Sequence, residues 1–218
     1  MAVKSNSRNK PGTATGMTRR TVLKGVGLAA VAAPPLLSRV ARAADAPGAT
    51  SVDQPISGSI TITLNINDKD HQVTVEPRTT LLSALRDRLD PPITGPKLVC
   101  NANTCGACTV IANGRNIYGC SVLAVDMIGK KITTVEGIGT PENLSPVQAA
   151  FVEKDAMMCG FCTDGFVTST TAFLKKNPNP TLDELKQGLK GNFCRCGTYP
   201  RIFEAALAAA KVLKASGK

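Results

Sequence analysis

The sequence has no tryptophan, a single histidine and only 4% aromatic residues. The lone His71 falls in an alternating segment that reads as a strand, where a surface or packing role accounts for it. No dinucleotide-binding fingerprint, P-loop or G-x-S-x-G elbow occurs. Asp87, Asp90, Asp155 and Asp164 read as solvated charges at helix ends, and no carboxylate pair or activated nucleophile stands out. The chain therefore carries no substrate chemistry of its own that the sequence can name, and no catalytic residue is assigned. The apolar stretch Gly25–Leu37 is short of the ~20 residues that a spanning helix needs, and Pro34-Pro35 interrupts it. No membrane span is expected.

The excess of basic over acidic residues is concentrated in one region. The chain has 218 residues, with 26 Lys+Arg, 16 Asp+Glu and a formal charge of +10. Residues 1–43 hold eight of the basic residues and no acidic one. What remains, 18 basic against 16 acidic, is nearly neutral, so the basicity is local and the case for a nucleic-acid partner falls away.

That basic segment has the order of an export signal. A polar basic start leads to Thr18-Arg19-Arg20-Thr21-Val22-Leu23-Lys24, then the apolar stretch, then Ala41-Arg42-Ala43 in an A-x-A cleavage pattern. The Arg19-Arg20 pair resembles a twin-arginine address, which implies export to the periplasm through the Tat translocon with cleavage after Ala43. Residues 44–58 are rich in Ala, Pro, Ser and Gly and read as a linker.

Beyond the linker the pattern is α+β. Ile60–Ile66 alternates apolar and polar, Asn67–Asp70 reads as a turn, and His71–Val75 returns, predicting a hairpin. Leu81, Leu82, Leu85 and Leu89 fall at helical spacing after a Thr79 or Thr80 cap, and Pro91-Pro92 stops that helix. Thr109–Ala112 and Arg115–Tyr118 flank Asn113-Gly114, a strong hairpin signal. Ile132–Val135 reads as a last strand. After Gly139 the pattern turns helical: Ser145-Pro146-Val147-Gln148 and Thr181-Leu182-Asp183-Glu184 are capping boxes, with further helices over about 164–176 and 202–213. The expected organisation is a strand-rich domain over 59–138 and a four-helix domain over 139–218.

Cysteine is what the sequence has in excess, and it divides along the same boundary. Four residues run Cys100-x4-Cys105-x2-Cys108-x11-Cys120, and four run Cys159-x2-Cys162 and, thirty-one residues on, Cys194-x-Cys196. Four thiolates are what a 2Fe–2S cluster takes, two per iron, and the first spacing is the plant-type pattern. Such a loop needs small residues that can turn backbone N–H groups toward sulfur. Here Gly106 supplies the freedom, and Asn103 is the non-glycine type best suited to positive φ. In the second set, Cys159-Gly160-Phe161-Cys162 precedes a helix whose N-terminus favours an anionic centre. Disulfides and four-cysteine zinc sites are the alternatives. The C-x-x-C and C-x-C spacings suit a metal better than a loop staple, and the C-x4-C arm fits a zinc ribbon poorly.

Five segments resemble the iron–sulfur subunits of the molybdenum hydroxylases, the xanthine dehydrogenase and aldehyde oxidoreductase family. They are Cys105–Val110, Ile132–Gly137, Pro146–Phe151, Cys159–Thr163 and Gly191–Gly197, in the family's order. With the twin-arginine signal, the nearest likeness is to the small subunit of periplasmic aldehyde oxidoreductases. The run Cys194–Arg201 also resembles the isoquinoline oxidoreductase branch. The resemblance implies a ferredoxin-like β-grasp domain holding one 2Fe–2S cluster on Cys100, Cys105, Cys108 and Cys120. It implies a four-helix domain holding a second on Cys159, Cys162, Cys194 and Cys196. It further implies a molybdopterin-binding large subunit near the second cluster, and an FAD-binding subunit or a cytochrome c beyond the first. The function implied is electron transfer in aldehyde oxidation, with N-heterocycle hydroxylation or a free-standing 2Fe–2S carrier as alternatives. Four positions depart from the family pattern. Met158 stands where a pterin-contacting Gln is usual, Val99 and Asn103 replace glycines, and Asp164 replaces a proline.

Overall fold

Alternation builds the first layer. In strand β1 (Ile60–Ile66) the residues Ile62, Leu64 and Ile66 are buried, and in β2 (Lys69–Val75) so are Val73 and Val75. The two strands pair antiparallel across Asn67 and Asp68, both at positive φ (53° and 62°), a two-residue turn whose twist matches the strands. The turn is thus shorter than the four residues expected, and β2 begins at Lys69. The structure is a computed structural model and describes residues 58–217. The export signal with Arg19 and Arg20, and the linker up to residue 57, lie outside the described residues.

β3 (Thr109–Ala112) and β4 (Arg115–Tyr118) form the expected hairpin, with Asn113 and Gly114 at φ 46° and 77°. β5 (Lys131–Thr133) completes a five-stranded mixed sheet of order β2-β1-β5-β3-β4, parallel only between β1 and β5. Val135, expected in this strand, instead opens a 3-10 turn, Val135–Gly137.

The leucines expected on one helix divide differently. Thr80 accepts a hydrogen bond from the Ser83 N–H and starts α1 (Leu81–Ser83), but the next turn, Ala84–Arg88, is π-helical and Leu89 is extended. Leu81, Leu85 and Leu89 nonetheless reach one core with Leu64, Ile66, Val73 and Ile132.

Four helices follow: α2 (Pro146–Glu153), α3 (Thr163–Lys176), α4 (Leu182–Gly188) and α5 (Tyr199–Ala215). Both capping boxes are formed, by Ser145 with Gln148 and by Thr181 with Glu184. α3 touches both layers, packing on β3 and β4 with one side and on α2 and α5 with another. Its side chains are small on average: Gly165, Thr168, Ser169, Thr170 and Ala172 are all buried along with Phe166. Thr168 donates to the Asp164 carbonyl and Thr171 to that of Val167, so these hydroxyls are satisfied within the helix. Asp155 and Asp164 are not simply solvated: Asp155 pairs with Arg201, and Asp164 with Lys97 at 2.6 Å. No helix among the described residues is long and apolar enough to cross a membrane.

Candidate metal centres

The loop that carries the first cysteines is wound by residues with positive φ. Asn101 (47°), Asn103 (58°) and Gly106 (70°) take the left-handed region, and Asn103 accepts a hydrogen bond from the Ser121 hydroxyl at 3.0 Å. Asn103 thus holds a turn in the left-handed conformation that favours glycine. The Ala102 N–H donates to the Cys100 sulfur at 3.4 Å. The hairpin end returns Cys120 to the loop. Leu82, Cys108 and Cys120 form a small buried cluster of their own, with Tyr118 packed on it.

Within this set the thiols lie close enough to shift one another's ionisation: Cys100 and Cys105 act on each other, and Cys120 and Cys105 both act on Cys108. The Thr104 hydroxyl and nearby N–H groups bring the Cys100 pKa down to about 6. Burial pushes Cys108 up to about 12 and raises Cys105. A buried thiol of that kind holds its proton until a metal displaces it, so metal loading here releases protons.

In the second set Cys159 and Cys196 act on each other, and Cys194 and Cys159 both act on Cys162. Burial pushes Cys162 up to about 12. Burial acts upward on Cys194 too, but the Thr198 backbone and hydroxyl outweigh it and bring the thiol to about 7. That hydroxyl lies 3.6 Å from the Cys194 sulfur, and the Cys194 N–H donates to the Tyr199 hydroxyl at 2.8 Å. Cys159 and Cys196 are exposed. Around them Val99, Met157, Met158, Phe161 and Phe193 are each at least half exposed, and a cleft of about 280 Å³ opens between Cys159, Phe161, Phe193 and Arg195.

All eight cysteines are free thiols. Among the described residues, no three or more His, Cys, Asp or Glu side chains form a group suited to a single ion. The arrangement is four interacting thiols in each set. Two metal positions, each taking two thiolates, are what such a set can hold, together with backbone N–H groups already facing sulfur. The donor set and the loop both fit a 2Fe–2S core.

Hydrogen bonds of long sequence separation join the two sets, and none was visible in the sequence. The Phe193 N–H donates to the Cys105 carbonyl at 2.9 Å. The Tyr118 hydroxyl donates to the Gly191 carbonyl at 2.8 Å. The buried Asn192 amide donates to the Gly106 carbonyl at 3.0 Å. The available signal was position: Tyr118 stands two residues before Cys120, and Asn192 two before Cys194.

Two family models match the chain. One is described as a 2Fe-2S iron-sulfur cluster binding domain and covers residues 63–164; the other is a 2Fe-2S binding domain over residues 134–207. The chain is 40% identical over 213 residues to the aldehyde oxidoreductase iron-sulfur-binding subunit PaoA of Escherichia coli O157:H7, covering 91% of this chain and 90% of that one. It is 42% identical over 151 residues to the nicotine 6-hydroxylase small subunit of Paenarthrobacter nicotinovorans, covering 69% and 90% respectively. A chain of quinoline 2-oxidoreductase from Pseudomonas putida 86 superposes with a TM-score of 0.68 at 37% identity, over 73% of this chain and 98% of that one.

Fold and matches together define a protein with 2Fe–2S-binding domains. Within that class, the chain belongs to the iron–sulfur small subunits of the molybdenum hydroxylases, which are parts of oxidoreductase complexes of the aldehyde oxidoreductase and xanthine dehydrogenase type.

Proposed function

We propose that this chain is the electron-transfer subunit of an exported molybdenum hydroxylase that oxidises aldehydes. Cys100, Cys105, Cys108 and Cys120 hold one 2Fe–2S cluster in a ferredoxin-like β-grasp domain over 59–138. Cys159, Cys162, Cys194 and Cys196 hold the other in a four-helix domain over 139–218. The observation that carries the reading is the gathering of four thiols in each set, on a chain that two 2Fe-2S-binding family models match. When bound, such clusters supply one-electron storage and transfer.

The residues of the chain do the rest. In the first set Cys105, Cys108 and Cys120 are buried and Cys100 is half-buried. The second set opens onto an apolar collar, and an apolar surface at an exposed metal site suits a partner subunit that seals it. We assign that face to the molybdopterin-binding large subunit, and the far side of the first set to an FAD-binding subunit or a cytochrome c. Met158 is 66% exposed at this face and, having no polar hydrogen, cannot itself donate to a pterin.

Export rests on the Arg19-Arg20 signal. It is supported by the match to PaoA, which extends over 91% of the chain and so reaches into the segment before residue 58. A second reading, N-heterocycle hydroxylation, is supported by the 42% identity to the nicotine 6-hydroxylase small subunit. Purification of the native complex from the periplasmic fraction tests both. An anaerobic aldehyde is expected to bleach the visible absorption of a molybdenum-containing complex. Bleaching by N-heterocycles alone selects the second reading. Isolation of the chain as a monomer without molybdenum rejects the subunit assignment in favour of a free-standing carrier.

A further inference from the structure

The Gly106 carbonyl oxygen receives three donors. The Thr109 N–H reaches it at 3.1 Å, the Thr109 hydroxyl at 2.6 Å, and the Asn192 side-chain amide at 3.0 Å. Thr109 is 2% exposed and Asn192 is 6% exposed, so water does not compete. This peptide is also clamped on both sides. A Cβ at Gly165 of α3 would overlap the Gly106 oxygen, and a Cβ at Gly106 would lie 2.6 Å from the Asn192 nitrogen. The other end of the same peptide group is the Ala107 N–H, which lies beside the Cys105 thiol and favours its thiolate.

A peptide whose carbonyl accepts strong hydrogen bonds becomes a stronger donor at its N–H, because the bonds of a chain polarise one another. A stronger N–H donor to a ligating sulfur favours the more negative, reduced form of an iron–sulfur centre and raises its reduction potential. Asn192 belongs to the loop of the second cysteine set, two residues before Cys194. Its amide nevertheless acts on the first set.

We propose that Asn192 is a positioning residue that, with Thr109, polarises the Gly106–Ala107 peptide toward the Cys105 sulfur and so raises the reduction potential of the first centre from within the loop of the second. This inference rests on the cluster assignment above. It adds a specific route by which the folding of the second loop sets the redox property of the first. An electron relay whose two potentials are linked in this way reaches its working order only when both loops are in place.

The test is a redox titration of the full chain in its complex, followed by the electron paramagnetic resonance signals of the two centres. The signal lost in Cys108→Ser marks the first. Thr109→Val and Asn192→Leu each remove a donor at nearly constant size, and Asn192→Ser removes the reach of the amide if the leucine variant does not accumulate. Each is expected to shift the first centre to lower potential, so that its reduced fraction at the wild-type midpoint falls severalfold. Thr109→Ser, which keeps the hydroxyl, is expected to titrate like wild type. The second centre is expected to hold its potential in Thr109→Val. Wild-type potentials in Asn192 variants that retain full iron overturn the proposal, as does a shift in Thr109→Val without one at Asn192. A wild-type chain lacking two iron–sulfur signals overturns the cluster assignment itself, which is a different failure.

Discussion

The two cysteine sets differ in who covers them. In the first, Cys105, Cys108 and Cys120 are buried, and the covering atoms come from this chain: Leu82, Tyr118 and the loop wound by Asn101, Asn103 and Gly106. In the second, Cys194 is buried, Cys162 is half-buried, and Cys159 and Cys196 are exposed among apolar side chains. The first set is completed by folding. The second presents an open face, and exposed Met157, Met158, Phe161 and Phe193 form the apolar surface proposed for the large subunit. A relay needs this asymmetry at the end that faces its electron source.

The largest effects come from breaking each set in turn. Cys108→Ser and Cys159→Ser are both expected to lower bound iron from about four to about two per chain. They differ in the fold. Cys108→Ser puts a hydroxyl in a buried apolar cluster and is expected to cost in addition roughly 2 kcal/mol of stability, seen as a lowered unfolding midpoint. Cys159→Ser, at an exposed site, is expected to leave the fold near wild type beyond the lost cluster. Equal destabilisation by the two would erase the contrast.

Next is the seam between the halves. Gly165→Val drives a side chain into the Gly106 carbonyl, and the overpacking is expected to cost about 2–3 kcal/mol in denaturant unfolding. The apolar collar comes third. Phe161→Ala is expected to weaken association with the large subunit by about 2 kcal/mol while the unfolding midpoint of the chain stays put, since Phe161 is 57% exposed. The smallest is Tyr118→Phe. It removes one hydrogen bond to Gly191 and is expected to cost about 1 kcal/mol, measured by the same unfolding experiment.

Local chemistry made much of this legible in advance. Asn113-Gly114 announced its hairpin because both residues tolerate positive φ, and the two capping boxes announced α2 and α4 because each satisfies its own first-turn donors. The division of the cysteines followed from spacing. Two things escaped. Leu81, Leu85 and Leu89 recur every four residues, a spacing that does not separate a 3.6-residue turn from the wider π-helical turn that Ala84–Arg88 adopts. The second is every contact with a long sequence separation. The pairs Lys97–Asp164, Tyr118–Gly191 and Asn192–Gly106 bridge 67 to 86 residues, and nothing in either local pattern names the other. Asp164 shows the consequence, since as a residue in a helix's first turn it looked solvated, while in the fold it holds the Lys97 ammonium at 2.6 Å.

The central claim is that one chain carries two distinct 2Fe–2S centres, one enclosed and one at an interface. Iron and sulfide analysis of the purified chain in its complex, coupled to electron paramagnetic resonance after reduction, tests it directly. The account predicts about four iron and four sulfide per chain and two separate signals. Zinc in place of iron, or about two iron with a single signal, would contradict it.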